Sequence, residues 1–315
     1  MDRITGDYND FWAGRDYLNA MKPWKAALLM SHGFNDWNVM PEHSYRIYKA
    51  AEAKGLPVQI YYHQQGHGGP PPMKMMNRWF TRFLYDVENG VEKEPKAWIV
   101  RENQPNSNPV SYANYPNPAA KNVKLFLGDG GNGQGKLSTE KAPKQATEKL
   151  SDDVSFSGSD LAKAQKSDHR LLYVSPTLKE PLHISGLAKI KVKLASSKPA
   201  ANFSVWLVAL PWSEGKEVKL MDNVITRGWA DPQNYKSLTK SAPLTPGKFY
   251  ELSFDLQPDD QIIPAGKQIA LMIFSSDKEF TLWPKAGTEI SIDLNGSQLT
   301  LPVVGGSSAY EKATK

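Results

Sequence analysis

The sequence predicts two units of different class: an α/β unit over residues 1–95 and an all-β jelly roll or β-sandwich over residues 96–304. Three observations predict this. Up to about Glu94, helix-like and strand-like segments alternate, the order that gives parallel strands joined by crossover helices. Beyond it, short apolar runs are cut at intervals by Gly, Pro, Asn and Asp, the pattern of sheets packed face to face. At 315 residues the chain is long enough for two cores.

The elements follow in order. Asp7 to Met21 reads as a helix with Phe11, Trp12, Tyr17 and Leu18 as its apolar points. Lys25 to Met30 is a short apolar run suited to a buried strand. Pro41 to Lys54 predicts a helix, with proline in its first turn and Gly55 as its stop. Val58 to Tyr62 is β-branched and aromatic, hence a strand, and Met73 to Tyr85 is an aromatic-rich helix. In the second unit strands are expected at Val123–Leu127, Leu171–Val174, Ile190–Leu194, Phe203–Leu210, Tyr250–Leu256, Gln268–Phe274, Glu289–Leu294 and Gln298–Val303. Gly128 to Leu150 is expected as a long surface excursion, and 305–315 as a loose tail.

Composition narrows the function. There is no cysteine, which removes disulfides, thiolate metal sites and a cysteine nucleophile and favours a reducing compartment, so a cytoplasmic location is expected. No apolar run reaches the ~18 residues of a membrane span, and Met1 to Asp10 lacks the basic-then-apolar pattern of a signal peptide. Residues 1–95 hold 11 basic and 11 acidic side chains; the others hold 27 and 22, so the net charge of +5 lies in the β-rich part. Those lysines are dispersed, without the clustered basic face that nucleic acid requires. Neither nucleic acid nor membrane is expected as a partner.

The chemistry sits where the first two strands end. One runs into Ser31-His32-Gly33-Phe34-Asn35-Asp36-Trp37, the other into His63-Gln64-Gln65-Gly66-His67-Gly68-Gly69. Open α/β sheets place their sites at the carboxyl ends of strands. An Asp at one end and a His 31 residues on match the last two members of a Ser, Asp, His order, in which the carboxylate orients the imidazole and stabilises its cation. Asp36 and His67 are the candidate catalytic residues; the alternative is a helix-capping Asp36 and a loop histidine. His63 is the rival base, but a strand-end side chain tends to be packed, whereas the glycines around His67 let it reach across. His63 and His67 have a metal-like spacing, yet on a Gly-rich loop rather than a helix, so no metal or other cofactor is expected.

The nucleophile is not legible. No Gly-x-Ser-x-Gly string occurs. Ser31 lacks the preceding glycine, and Ser307 follows the histidine, which breaks the order. The string from Gly130 to Lys136 imitates a phosphate-binding loop, but Leu137 stands where Ser or Thr should hold Mg²⁺.

Three strings carry a resemblance: Asp7-Tyr8-Asn9-Asp10-Phe11-Trp12, His32-Gly33-Phe34-Asn35-Asp36-Trp37-Asn38-Val39 and Gln65-Gly66-His67. They resemble the Xaa-Pro dipeptidyl-peptidases of lactic acid bacteria and their relatives, serine peptidases related to cocaine esterase. Thr226-Arg227-Gly228-Trp229 followed by Tyr235-Lys236-Ser237-Leu238 resembles the Arg-Gly segment of that family's C-terminal jelly roll. The resemblance implies the C-terminal part of an α/β-hydrolase domain followed by a jelly roll. It places the triad acid on Asp36 and the triad base on His67, and implies release of Xaa-Pro dipeptides from proline-containing peptides. Trp37 is expected either to line the proline pocket or to pack under its loop. The family's elbow serine lies upstream of the first residue here, so the chain is expected to be inactive alone. Residues 1–95 are expected to self-associate unless an upstream part of the hydrolase domain, or another copy of the chain, completes the sheet. Two other readings are an esterase or acylase of the cocaine-esterase type and a non-catalytic jelly-roll binding module.

Overall fold

The computed structural model describes residues 5–102, 104–141 and 146–315. Its first layer is a four-stranded sheet of β1 (Leu28–Gly33), β2 (Val58–His63), β3 (Ala97–Ile99) and β4 (Val110–Tyr112), in that order. The first three strands are parallel and β4 is antiparallel. Helix α2 (Pro41–Ala53) crosses from β1 to β2, and α3 (Met73–Tyr85) from β2 to β3. Tyr48 and Ala51 of α2 bury against Val58, Ile60 and Tyr62 of β2 and Ala97 and Ile99 of β3. The sheet thus runs past the boundary expected at residue 95, because three residues of β3 are too few to read as a strand locally.

The helix expected over Asp7–Met21 is instead a single turn, α1 (Asp10–Ala13), followed by a 3₁₀ turn at Tyr17–Ala20. Side chains interrupt it. Asn9 accepts from the Phe11 N–H and Asp16 from the Leu18 N–H, so each starts a new turn rather than continuing one helix.

The β-rich unit holds β5 (Ala120–Leu127), β6 (Gly135–Ser138), β7 (Thr147–Ser151), β8 (Arg170–Val174), β9 (Leu182–Gly186), β10 (Lys189–Ser196), β11 (Phe203–Leu210), β12 (Val224–Ala230), β13 (Phe249–Asp255), β14 (Asp259–Ile263), β15 (Gln268–Phe274) and β16 (Glu289–Val304). One sheet runs β12-β11-β15-β8 and the other β13-β10-β16-β5, with β6 joining them. Strands β7 and β9 add to β16, and β14 to β9. Alternation fills the space between the sheets: Phe203, Val205 and Leu207 of β11 meet Ile290, Ile292 and Leu299 of β16 in one core. The opposite residues of β11, Trp206, Val208 and Leu210, face outward into a second cluster with Leu161 and Ala162 of α4 (Gly158–Lys163). The two strands expected at 289–294 and 298–303 are one, bent where its register with β10 shifts between Lys191 and Lys193; the Ser297 hydroxyl fills the gap by accepting from the Lys193 N–H at 3.1 Å.

Two expectations fail in this unit. Residues 305–315 are not a tail: α5 (Gly306–Thr314) buries Tyr310 and Ala313, one turn apart, on the jelly-roll core. The Gly128–Leu150 excursion contains β6 and β7, and its residues 142–145 lie outside the described residues. The loop between β5 and β6 is already occupied by two charged side chains. The N–H groups of Gly130 and Gly131 cradle the Glu148 carboxylate, which also accepts from Tyr173 Oη at 2.7 Å. The carbonyls of Gly131 and Gly133 accept from the buried Arg170 guanidinium at 2.7 Å each. Arg170 also donates to the carbonyls of Asn132, Leu161 and Ala164. Arg170→Met should therefore cost about 2 kcal/mol in a urea melt, because it strands several of these acceptors. An unchanged midpoint would refute this role.

The two units meet beside the carboxyl ends of β1 and β2. Gln64 Nε2 donates to the Asp260 carbonyl at 2.9 Å. Arg101 pairs with the buried Asp260 carboxylate, which also accepts from Ser185 Oγ and contacts His183 Nε2. Gln257 Oε1 accepts from the Glu42 N–H at the start of α2. Among the described residues, no helix is long and apolar enough to cross a membrane.

Candidate active site

Strands β1 and β2 run parallel in a register that sets Gly33 opposite His63, so both end at one level and their loops emerge side by side. Backbone bonds then hold the loops together: Phe34 N–H to the His63 carbonyl at 2.9 Å, and Asn35 N–H to the Gln65 carbonyl at 3.2 Å. Gly33 is where they touch. A Cβ there would stand 2.2 Å from the Gln65 oxygen and 2.6 Å from that of Gly66.

This register brings Asp36 and His67 together. His67 Nδ1 lies 2.9 Å from Asp36 Oδ2. Asp36 Oδ1 accepts the N–H groups of Asn38 and Val39 at 3.0 Å each, so the acid also caps its own turn. It does not cap α2, whose N-cap, Met40, has no side-chain bond. Burial pushes the Asp36 carboxyl up, but hydrogen bonds from Val39, His67, Asn38 and His32 outweigh this and hold it below the usual carboxylate range. Asp36 is thus a buried, ionised acid at neutral pH. The His67 side chain is 64% exposed, so with Nδ1 on the acid its other nitrogen opens outward, where a base must meet substrate.

His63 is the packed histidine. It is fully buried, its ring wedged between Gly33 and Gly69, and its Nδ1 accepts from the Gln65 N–H at 3.1 Å. Burial lowers its pKa and keeps it neutral. Ser31 serves the His67 loop structurally: its hydroxyl donates to the Gly69 carbonyl at 2.8 Å.

The sequence does not single out His32 as a functional residue. Its Nε2 stands 3.1 Å from Asp36 Oδ2, the same oxygen that meets His67, and 2.9 Å from the Val39 carbonyl, so a proton on Nε2 is shared between them and steadies the acid. The four-residue spacing from Asp36 across a strand end was the available signal. Trp37 is half-buried against the jelly roll, with the Arg227 guanidinium 4.2 Å over its ring and Trp229 and Phe280 at its edge.

Comparison with known proteins identifies the family and the fold. Residues 2–69 match the X-Pro dipeptidyl-peptidase (S15 family) model and residues 89–311 the model of the X-Pro dipeptidyl-peptidase C-terminal non-catalytic domain. A Rhodopirellula baltica protein whose name assigns it to the Xaa-Pro dipeptidyl-peptidases is 55% identical over 98% of this chain and 50% of its own length. Two crystal structures share the fold. An aminopeptidase from a marine sediment Thaumarchaeota archaeon matches at a TM-score of 0.75 and 17% identity, over 95% of this chain and 58% of its own. A CocE/NonD family hydrolase from Staphylococcus aureus matches at 0.73 and 14%, over 95% and 57%. The chain spans about half the length of the curated relative it matches. The match of both family models, together spanning most of the sequence, and the 55% identity to a named relative show that the chain belongs to the X-Pro dipeptidyl-peptidase family of serine hydrolases.

Proposed function

We propose that this chain supplies the acid and base of a serine peptidase that releases Xaa-Pro dipeptides from the amino termini of peptides. The observation that carries the reading is the 2.9 Å contact between Asp36 Oδ2 and His67 Nδ1, with the imidazole open on its other side. A serine from outside these 315 residues attacks the prolyl carbonyl, and His67 Nε2 takes its proton. His67 then returns the proton to the leaving amine, and Asp36 stabilises the imidazolium between the two steps. Water, activated by the same histidine, releases the dipeptide. Trp37, half-exposed beside Asp36, would supply an apolar wall for the proline ring.

The partner is the remaining half of the hydrolase sheet. Among the described residues β1 pairs only with β2, and Phe80, Leu84 and Tyr85 of α3 are exposed; an open sheet edge and exposed apolar side chains suit further strands and helices. The test is to express the chain with the serine-bearing half of a related protein and assay a glycyl-proline anilide against a simple acyl ester. Cleavage of the anilide is expected. Cleavage of the ester alone would move the assignment to an esterase, and a folded assembly that cleaves neither would refute both.

A further inference from the structure

Arg227 is fully buried, yet none of its three guanidinium nitrogens has a hydrogen-bond partner. Burial pulls its pKa down to about 10, so it remains a cation at neutral pH. Its compensation is partly Coulombic, from the carboxylates of Asp277 and Glu279, and partly aromatic. The guanidinium carbon lies 4.2 Å from the ring centre of Trp37, 4.2 Å from that of Trp206 and 5.0 Å from that of Phe280. Asp277 fixes the surrounding rings, its Oδ2 accepting from Trp206 Nε1 at 2.8 Å and Trp229 Nε1 at 2.9 Å. An apolar side chain would fill a core at less cost than a buried cation that makes no hydrogen bond, so core packing alone does not account for arginine here.

Its position does. Arg227 is the cross-strand partner of Trp206 on the outward face of the β11–β12 pair, and Trp37 directly follows Asp36 in sequence. The same strand reaches the far end of the acid loop. The Arg227 carbonyl accepts from Gln257 N–H at 2.8 Å, and the Gln257 side chain accepts from the Glu42 N–H at 3.1 Å. The loop from Asp36 to Pro41 is therefore tied to β12 at both flanks. We propose that Arg227 is a positioning residue: clamped between Trp37 and Trp206, it lets the jelly roll set where Asp36 meets His67. A domain described as non-catalytic in the family thereby takes part in building the site. The catalytic consequence rests on the peptidase reading above; the geometric one does not.

The test uses the 315-residue chain labelled with ¹⁵N-histidine. A long-range ¹H–¹⁵N spectrum reports the tautomer of His67, whose Nδ1–H form is held by Asp36. In Arg227→Met the ratio of that form to the Nε2–H form should fall by about fivefold or more, the lower end of ordinary couplings between sites. Should Arg227→Met not fold, Trp37→Leu removes the exposed side of the same clamp and should lower the ratio equally. A folded variant of either kind that keeps the wild-type ratio, even with a lowered melting temperature, overturns the proposal. Asp36→Asn separates the two readings. An unchanged ratio there refutes the acid–base pair itself and the clamp with it, whereas an unchanged ratio only in the Arg227 and Trp37 variants refutes the clamp and leaves the pair standing.

Discussion

Replacing His67 by alanine in an assembled enzyme should lower kcat/KM for a glycyl-proline anilide about a million-fold, and Asp36→Asn about ten-thousand-fold. The asymmetry follows from the roles. Alanine at 67 removes the group that carries the proton in both directions. Asparagine at 36 keeps the shape but loses the charge that stabilises the imidazolium. It can also present an N–H to His67 Nδ1, which selects the wrong tautomer. Stability should hardly move in His67→Ala, because the side chain is 64% exposed and exposed pairs contribute little. His63→Ala should do the reverse, damaging folding through the cavity left by a fully buried ring. Steady-state kinetics beside a urea melt separate these outcomes. Wild-type turnover in a folded His67→Ala enzyme would dismiss the assignment of the base.

Gly33→Ala should be the most damaging single methyl in the site. The added carbon would lie 2.2 and 2.6 Å from two backbone oxygens and 2.8 Å from His63 Cε1. None of these is the end of a flexible side chain that could swing away. The two loops would have to part, which breaks the Phe34–His63 and Asn35–Gln65 bonds and withdraws His67 from Asp36. A loss of about 3 kcal/mol, the upper part of the overpacking range, is expected, with activity down by about 100-fold or more from misplacement alone. Gly66→Ala is the control: its carbon would sit 3.5 Å from the Asn35 oxygen, an ordinary contact, and should change stability by less than ~1 kcal/mol. Equal behaviour of the two variants would show that the loops do not meet at Gly33.

What was legible in the sequence was what short-range patterns encode. The two-residue alternation of the jelly-roll strands gave their places, and the proline start and glycine stop gave α2. The glycines around His67, set against the strand-end position of His63, indicated which histidine would be free. Patterns failed where a few side chains overruled them. Asn9 and Asp16 cut the first helix into turns, and β3, with three residues, is too short to carry a period. The apolar points of α5 gain meaning only from the core beneath them.

By itself, then, the sequence determined an aspartate and a histidine at the ends of two strands, and a β-rich unit after them. It could do so because strand ends, glycine-rich loops and residue order are local properties of the chain. Tertiary structure alone decided that Asp36 would be shared by His32 and His67, that Glu148 and Arg170 would occupy the loop that imitates a phosphate site, and that Arg227 would close on Trp37. Each depends on which strand lies beside which. The contact between Trp37 and Arg227 joins residues far apart in the chain, and no local period records that distance. It exists because the parallel register of β1 and β2 and the docking of β12 bring an indole and a guanidinium to one place, where excluding water makes their attraction count.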